Sequence, residues 1–206
     1  MTDAAERDKI TEKGGVKLEQ AKKRDHKIVI TDVAVDKVPY VVIPGWTVEQ
    51  NVFLRQVNQD ILRIAMKENN SDEVACVYNR YTLERTPAIL GDTISVDIDN
   101  NIDVMGLQNK SYAFELVLSH NHPSTSNFSF ADIDYFIAND YLGLMTVVTN
   151  QGEVYALRKT DTYDYDKIQS VKTKLISDYS LENQAEMAKE FLKRCREGGV
   201  EYVKGK

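Results

Sequence analysis

Among 206 residues only three are histidine, and two of these, His120 and His122, stand one residue apart at the end of an apolar run, AFELVLSH, with Pro123 behind them. In extended backbone, residues two apart point to the same side, so both imidazoles can reach one metal ion while Asn121 faces away. Asp132 follows ten residues after His122, on the first turn of a helix that Ser129 is placed to cap. Two imidazoles and one carboxylate are the protein ligands of a catalytic zinc site. The fourth tetrahedral position is left for water, whose pKa such a metal lowers to roughly 7. Taken singly these residues have plainer uses. A His-x-His pair often ends a strand as polar edge residues, and Ser129 with Asp132 suffices as an N-cap and a carboxylate complementing the helix dipole. The whole string in a chain so poor in histidine, SHNHPS and then Ser129-x-x-Asp132, favours the metal.

Other chemistries lack their residues. Cys76 and Cys195 are far apart and form no Cys-x-x-Cys pair, so neither a disulfide framework nor a thiolate zinc site is expected. Cys76 lies within an apolar run, where a buried thiol is inert. A zinc nucleobase deaminase needs His-x-Glu followed by Pro-Cys-x-x-Cys, and the chain has neither. With 32 acidic against 26 basic side chains the net charge is -6, so no nucleic-acid partner is expected. No apolar stretch approaches the roughly 18 to 20 residues of a membrane-spanning helix, and the first residues, MTDAAERDKITEKGG, lack the apolar core of a signal peptide. A cytoplasmic protein without a membrane partner is the expectation.

The elements that must position these side chains can be read from periodicity. Residues 1–27 are dominated by charge and are expected as a solvated tail or loosely held helix. IVITDVAV from Ile28 and VPYVVI have the β-branched enrichment of strands, the second demoted by Pro39. Thr47 is expected to cap a helix reaching about Glu68, on which Val48, Val52, Val57, Ile61 and Ala65 recur at helical spacing. EVACVYN reads as a strand covered on both faces. YTLERTPAIL and DTISVDI read as strand pieces around a turn, residues 102–109 as a short helix and AFELVLSH as a strand. A helix over 130–141 and a hairpin formed by LMTVVTN and EVYALR follow. Two charged helices are expected over 164–178 and 182–197. The fold class is therefore α/β, with a domain over 28–160 and a helical extension over 161–206.

At His120, His122, Ser129 and Asp132 the sequence resembles the JAB/MPN metalloprotease family, whose signature is a Glu, then His-x-His, a seven-residue gap and Ser-x-x-Asp. SHNHPS is closest to its RadC-type bacterial branch. Here the gap, PSTSNF, holds six residues, one fewer than the family's. The resemblance covers roughly residues 46–158 and implies a three-layer fold in which a mixed sheet is flanked by helices. It implies that His120, His122 and Asp132 hold Zn2+, that the Ser129 hydroxyl donates to an oxyanion, and that a glutamate at the start of the strand after the long helix is the general base. Glu73 occupies that place. Glu115 is too far along its strand from His120, whereas spacing alone does not forbid Glu84 from pointing inward. The activity implied is zinc-dependent hydrolysis of a peptide or isopeptide bond in a protein or peptide substrate. The alternatives are a noncatalytic JAB-like interaction module in a phage or mobile-element assembly, or a RadC-like accessory of DNA processing, which the acidity opposes.

Overall fold

In a computed structural model, which describes residues 27–205, apolar side chains alternate across a six-stranded open sheet, and each face of the sheet has its own core. Strands β1 (Val74–Asn79), β2 (Ile89–Leu90), β3 (Leu116–His122), β4 (Leu142–Thr149), β5 (Val154–Lys159) and β6 (Val200–Lys204) lie in the order β2-β1-β3-β4-β5-β6. Only β3 and β4 run parallel; the other neighbours are antiparallel. On one face Cys76, Tyr78, Val117 and Leu144 pack with α1 (Asp32–Lys37) and α2 (Val48–Glu68). On the other, Ala75, Val77, Leu116, Leu118 and Met145 join residues of α3 (Ile102–Gln108), α4 (Phe130–Ala138), α5 (Tyr165–Asp178) and α6 (Gln184–Arg194). Six α-helices and a mixed sheet among the described residues make this an α/β fold with helices on both faces of the sheet.

Helix α2 forms as its sequence requires. The Thr47 hydroxyl accepts from Gln50 N while the Gln50 side chain accepts from Thr47 N, a reciprocal cap. Leu54, Val57, Ile61, Leu62 and Ala65 then bury one stripe against the sheet, each large side chain contributing about 1.5 to 3 kcal/mol. Helix α4 is the crossover between parallel β3 and β4, so its first turn starts near the end of β3. That connection creates the site.

Several expectations are corrected. IVITDVAV and VPYVVI are not strands: residues 28–31 are irregular, Thr31 caps α1 by accepting from Ala34 N, and residues 38–43 run over α2. Side chains of α2 serve that segment's backbone, Arg55 donating to Val38 O and Asn51 accepting from Ile43 N, so it needs no strand partner. DTISVDI is a loop, in which the Asp92 carboxylate accepts from Ile94 N and Ser95 N. YTLERTPAIL contributes only β2 and an isolated bridge between Tyr78 and Arg85. Helix α4 stops at Ala138, and the segment expected as one helix over 182–197 is α6 flanked by 3-10 turns at Leu181–Asn183 and Cys195–Gly198. Strand β6 was not expected; it follows Gly199, held at φ +74°, and pairs with β5. Residues beyond 160 thus add a strand to the same sheet, and Ile168, Phe191 and Val200 to the same core. The expectation for residues 1–26 lies outside the described residues. No described helix is long and apolar enough to cross a membrane.

Candidate metal centre and its groove

Strand β3 does not end before its histidines; it carries them as its last residues, with His120 opposite Val147 and His122 opposite Thr149 on β4. Pleating sends Leu118, His120 and His122 to the face of the sheet that α4 covers, and Ser119 and Asn121 to the other. Both imidazoles are buried, and their Nε2 atoms lie 3.1 Å apart. Asp132 completes the group: its Oδ1 is 3.4 Å from His120 Nε2 and its Oδ2 3.3 Å from His122 Nε2. A connection of six residues therefore suffices to bring the helix carboxylate onto the strand histidines.

Hydrogen bonds orient two of the three. His122 Nδ1 lies 3.2 Å from the carbonyl of Ser126, which only accepts, so Nδ1 carries the proton and Nε2 presents its lone pair inward. Asp132 Oδ2 accepts from Ser129 N and Ser129 Oγ, both at 2.7 Å, and Asp132 N donates back to Ser129 Oγ at 3.1 Å. His120 Nδ1 is buried without a hydrogen-bond partner. A lone pair of His122 directed at a second imidazole nitrogen 3.1 Å away is repulsive unless a positive centre, a proton or a metal ion, lies between them. His120, His122 and Asp132 can hold such an ion.

Glu73 immediately precedes β1. Ala75 pairs with His120, so continuing the antiparallel register by two residues sets Glu73 opposite His122, on the same face. Its backbone is fixed on both sides: Glu73 N donates to Asp92 O, Gly91 N and the Asn69 side chain donate to Glu73 O, and the next amide, Val74 N, donates to Asn121 Oδ1. Burial pushes the Glu73 carboxyl above its ordinary range, against the opposing pull of the two histidines. The balance falls the other way for Asp132. Burial would raise it, but His120 and His122 outweigh burial and hold it well below the usual carboxylate range. His122 is raised: burial lowers it, and the hydrogen bond and charge of Asp132 prevail. Burial thus prevails at Glu73 and the two histidines prevail at Asp132.

These residues face a groove of about 900 Å³, whose walls include Thr93 to Asp99, Pro123, Ser124, Ser126, Ala131 and Tyr135. No residue of α5, α6 or β6 lines it. Glu84 is drawn off to Lys110, and Glu115 accepts from Asn79 and Tyr112, so neither joins the site. Sequence reasoning missed Ser126, whose role is played by a backbone carbonyl and leaves no signature. It also left Asn121 as merely facing away, whereas Asn121 ties β1 to β3 on the reverse side. The strand expected at DTISVDI is a loop, and its residues 93–99 form a wall of the groove. A scan against models of known protein families finds no match, and a search among curated proteins finds none either.

Proposed function

We propose that this protein is a zinc-dependent hydrolase of the JAB/MPN type that cleaves a peptide or isopeptide bond. The single observation carrying this reading is the meeting of His120 Nε2, His122 Nε2 and the Asp132 carboxylate with edges of 3.1, 3.4 and 3.3 Å. Tetrahedral bonds of roughly 2.0 to 2.1 Å separate ligand atoms by about 3.3 to 3.4 Å, and two nitrogens with one oxygen suit zinc better than a hard cation. When bound there, zinc supplies Lewis acidity, lowering the pKa of water to about 7 and polarising a carbonyl.

The remaining work falls to the chain's own residues. Glu73, buried on the same face and raised in pKa, accepts a proton from water and returns it to the departing amine. Ser129 has one hydroxyl proton, which it gives to Asp132; donation to a developing oxyanion requires that hydroxyl to rotate toward the groove. The 93–99 loop and α4 hold an extended chain between them. Openness of the site supports catalysis over the scaffold reading, since the C-terminal helices leave the groove clear. Among the described residues the one cation lining it, Lys27, is tied to Asp72, which favours a protein substrate over a phosphate backbone. The test is zinc content of the purified protein together with mass-spectrometric detection of new peptide termini in a denatured protein mixture. One equivalent of zinc and termini absent with Glu73→Gln are expected; zinc-loaded protein that generates no termini would end the proposal.

A further inference from the structure

The groove does not stop at the metal group. It continues along the sheet and reaches down to Leu118 and Met145, paired neighbours on β3 and β4 that are both buried. Leu118 lies two residues before His120 on the same face, about 6.5 Å along the strand. Helix α4 returns from the end of β3 toward the start of β4, so Tyr135, one turn beyond Asp132, lies in the same direction from the metal group. Ile98 of the 93–99 loop, itself buried, supplies the opposite wall. Within one pleat of the histidines and one helical turn of Asp132, the groove therefore becomes a mainly apolar chamber.

The chemistry of this chamber selects what can fill it. Asp97 and Asp99 at its mouth are exposed and already engaged: Asp97 accepts from Asn100 N and Nδ2, and Asp99 lies beside the Tyr135 hydroxyl. An entering carboxylate would meet these two and Asp132 as like charges. An ammonium or guanidinium laid over Leu118 and Met145 would lose water without gaining an ion-pair partner beneath it. An apolar side chain meets neither cost. Length decides further. A substrate residue whose carbonyl carbon sits at the metal group has its Cα only about 1.5 Å from that carbon, so glycine or alanine leaves the floor uncovered. Leucine, methionine or phenylalanine spans the interval.

We propose that this chamber is the specificity subsite of the groove, taking one large apolar side chain (Leu, Met or Phe) from the substrate residue next to the bond presented to the metal group. The inference names a substrate class for the hydrolase reading and rests on that reading for the cleavage, whereas the chamber's selectivity can be measured without any cleavage.

Two measurements on the full-length chain supplied with zinc test it. The first reads cleavage positions in a denatured protein mixture by mass spectrometry. Leu, Met and Phe should dominate one of the two positions flanking the cut bond, and a peptide with Leu there should exceed its Ala counterpart by about 10²-fold in kcat/KM. Ile98→Trp, which fills the chamber from its loop wall, should lower that Leu-to-Ala ratio by about tenfold or more. The second follows isotope-labelled methyl groups by NMR. N-acetyl-leucine methylamide should shift the Leu118, Met145 and Ile98 signals at concentrations about tenfold lower than the alanine, lysine or glutamate analogues do. Should Ile98→Trp not fold, the preference of the native chain and its methyl signals still decide. Glycine, a charged residue or no preference at the flanking positions would overturn the proposal, as would equal responses to the four amides or shifts confined to residues outside the chamber. Selective methyl shifts without new peptide termini would uphold the apolar subsite and end the hydrolase reading alone.

Discussion

Ser129 Oγ donates to Asp132 Oδ2 at 2.7 Å while accepting from Asp132 N at 3.1 Å, so one hydroxyl starts the helix and holds the carboxylate that faces both histidines. Helix cap and carboxylate support are one device, and losing it should have two separable effects. Ser129→Ala should lower stability by about 0.5 to 2 kcal/mol and weaken zinc by roughly 10- to 100-fold, as removal of a ligand's hydrogen-bond partner does. At saturating zinc, a further loss of about 10²- to 10³-fold in turnover is expected if the hydroxyl rotates to serve the oxyanion. Normal turnover at saturating zinc would leave Ser129 as cap and ligand support alone.

Zinc itself is expected at one equivalent per chain. His120→Ala/His122→Ala should abolish it, and a full equivalent retained by that variant would place the metal elsewhere. Chelation should leave the far-ultraviolet dichroism and cooperative melting intact, because both faces of the sheet carry apolar cores of their own. A chelated protein that unfolds would show the ion to be structural.

If the proposed hydrolysis is right, Glu73→Gln should keep zinc and lose about 10²- to 10⁴-fold in rate, because it would remove the proton carrier and leave the His120–His122–Asp132 group intact. Glu84→Gln is the paired control; it releases only an exposed bond to Lys110 and should cleave normally. The reverse pattern would transfer the base to Glu84.

How much of this was legible follows from where each signal is stored. The His-x-His pair, Ser129-x-x-Asp132, the Thr47 cap and the stripe of α2 are local patterns, and local patterns survive into the structure. The segment at 28–43 departs from its strand expectation because β-branched residues do not by themselves specify pairing, and Arg55 and Asn51 on α2 serve its backbone at Val38 and Ile43. Strand β6 is short, half exposed, and defined by pairing with β5 rather than by its own composition. Ser126 acts through a backbone carbonyl that any residue possesses. Non-local partners and backbone groups are what a linear pattern does not record.

Asn121 joins the two strands that carry the site, and its expected cost of loss is large. Fully buried behind the histidines, it accepts from Val74 N and donates to Asp72 O and to Asn150 Oδ1. Asn121→Leu orphans all three and should cost about 2 to 5 kcal/mol in urea unfolding. It should also lower kcat more than it raises KM, with zinc retained, because the ligands keep their places while Glu73 loses the clamp on its neighbouring amide. A variant of normal stability would show that water replaces the amide there.

Lys159 provides a pH test remote from the metal. Its ammonium is buried, donates to Asn139 O at 2.8 Å, and sits 4.8 to 5.1 Å from the ring centres of Phe114, Phe136 and Tyr163. Burial lowers its pKa to about 8. Unfolded, an ordinary lysine titrates near 10.4, so between the two values the unfolded chain binds more protons and the folded protein gains stability as pH rises. The gain should be about 1 to 3 kcal/mol by about pH 10, reduced by the attraction of the rings for the charged form. Partly buried phenols act with the opposite sign: partial burial pushes Tyr163 to about 12, so the folded state loses stability only once unfolded tyrosine ionises. Urea unfolding of the native chain and of Lys159→Met at about pH 7.5 and about pH 9.5 separates the contributions, because the variant keeps the tyrosines and loses the amine. The native chain should gain stability over this interval relative to Lys159→Met, and parallel behaviour of the two would show that Lys159 keeps an ordinary pKa despite its burial.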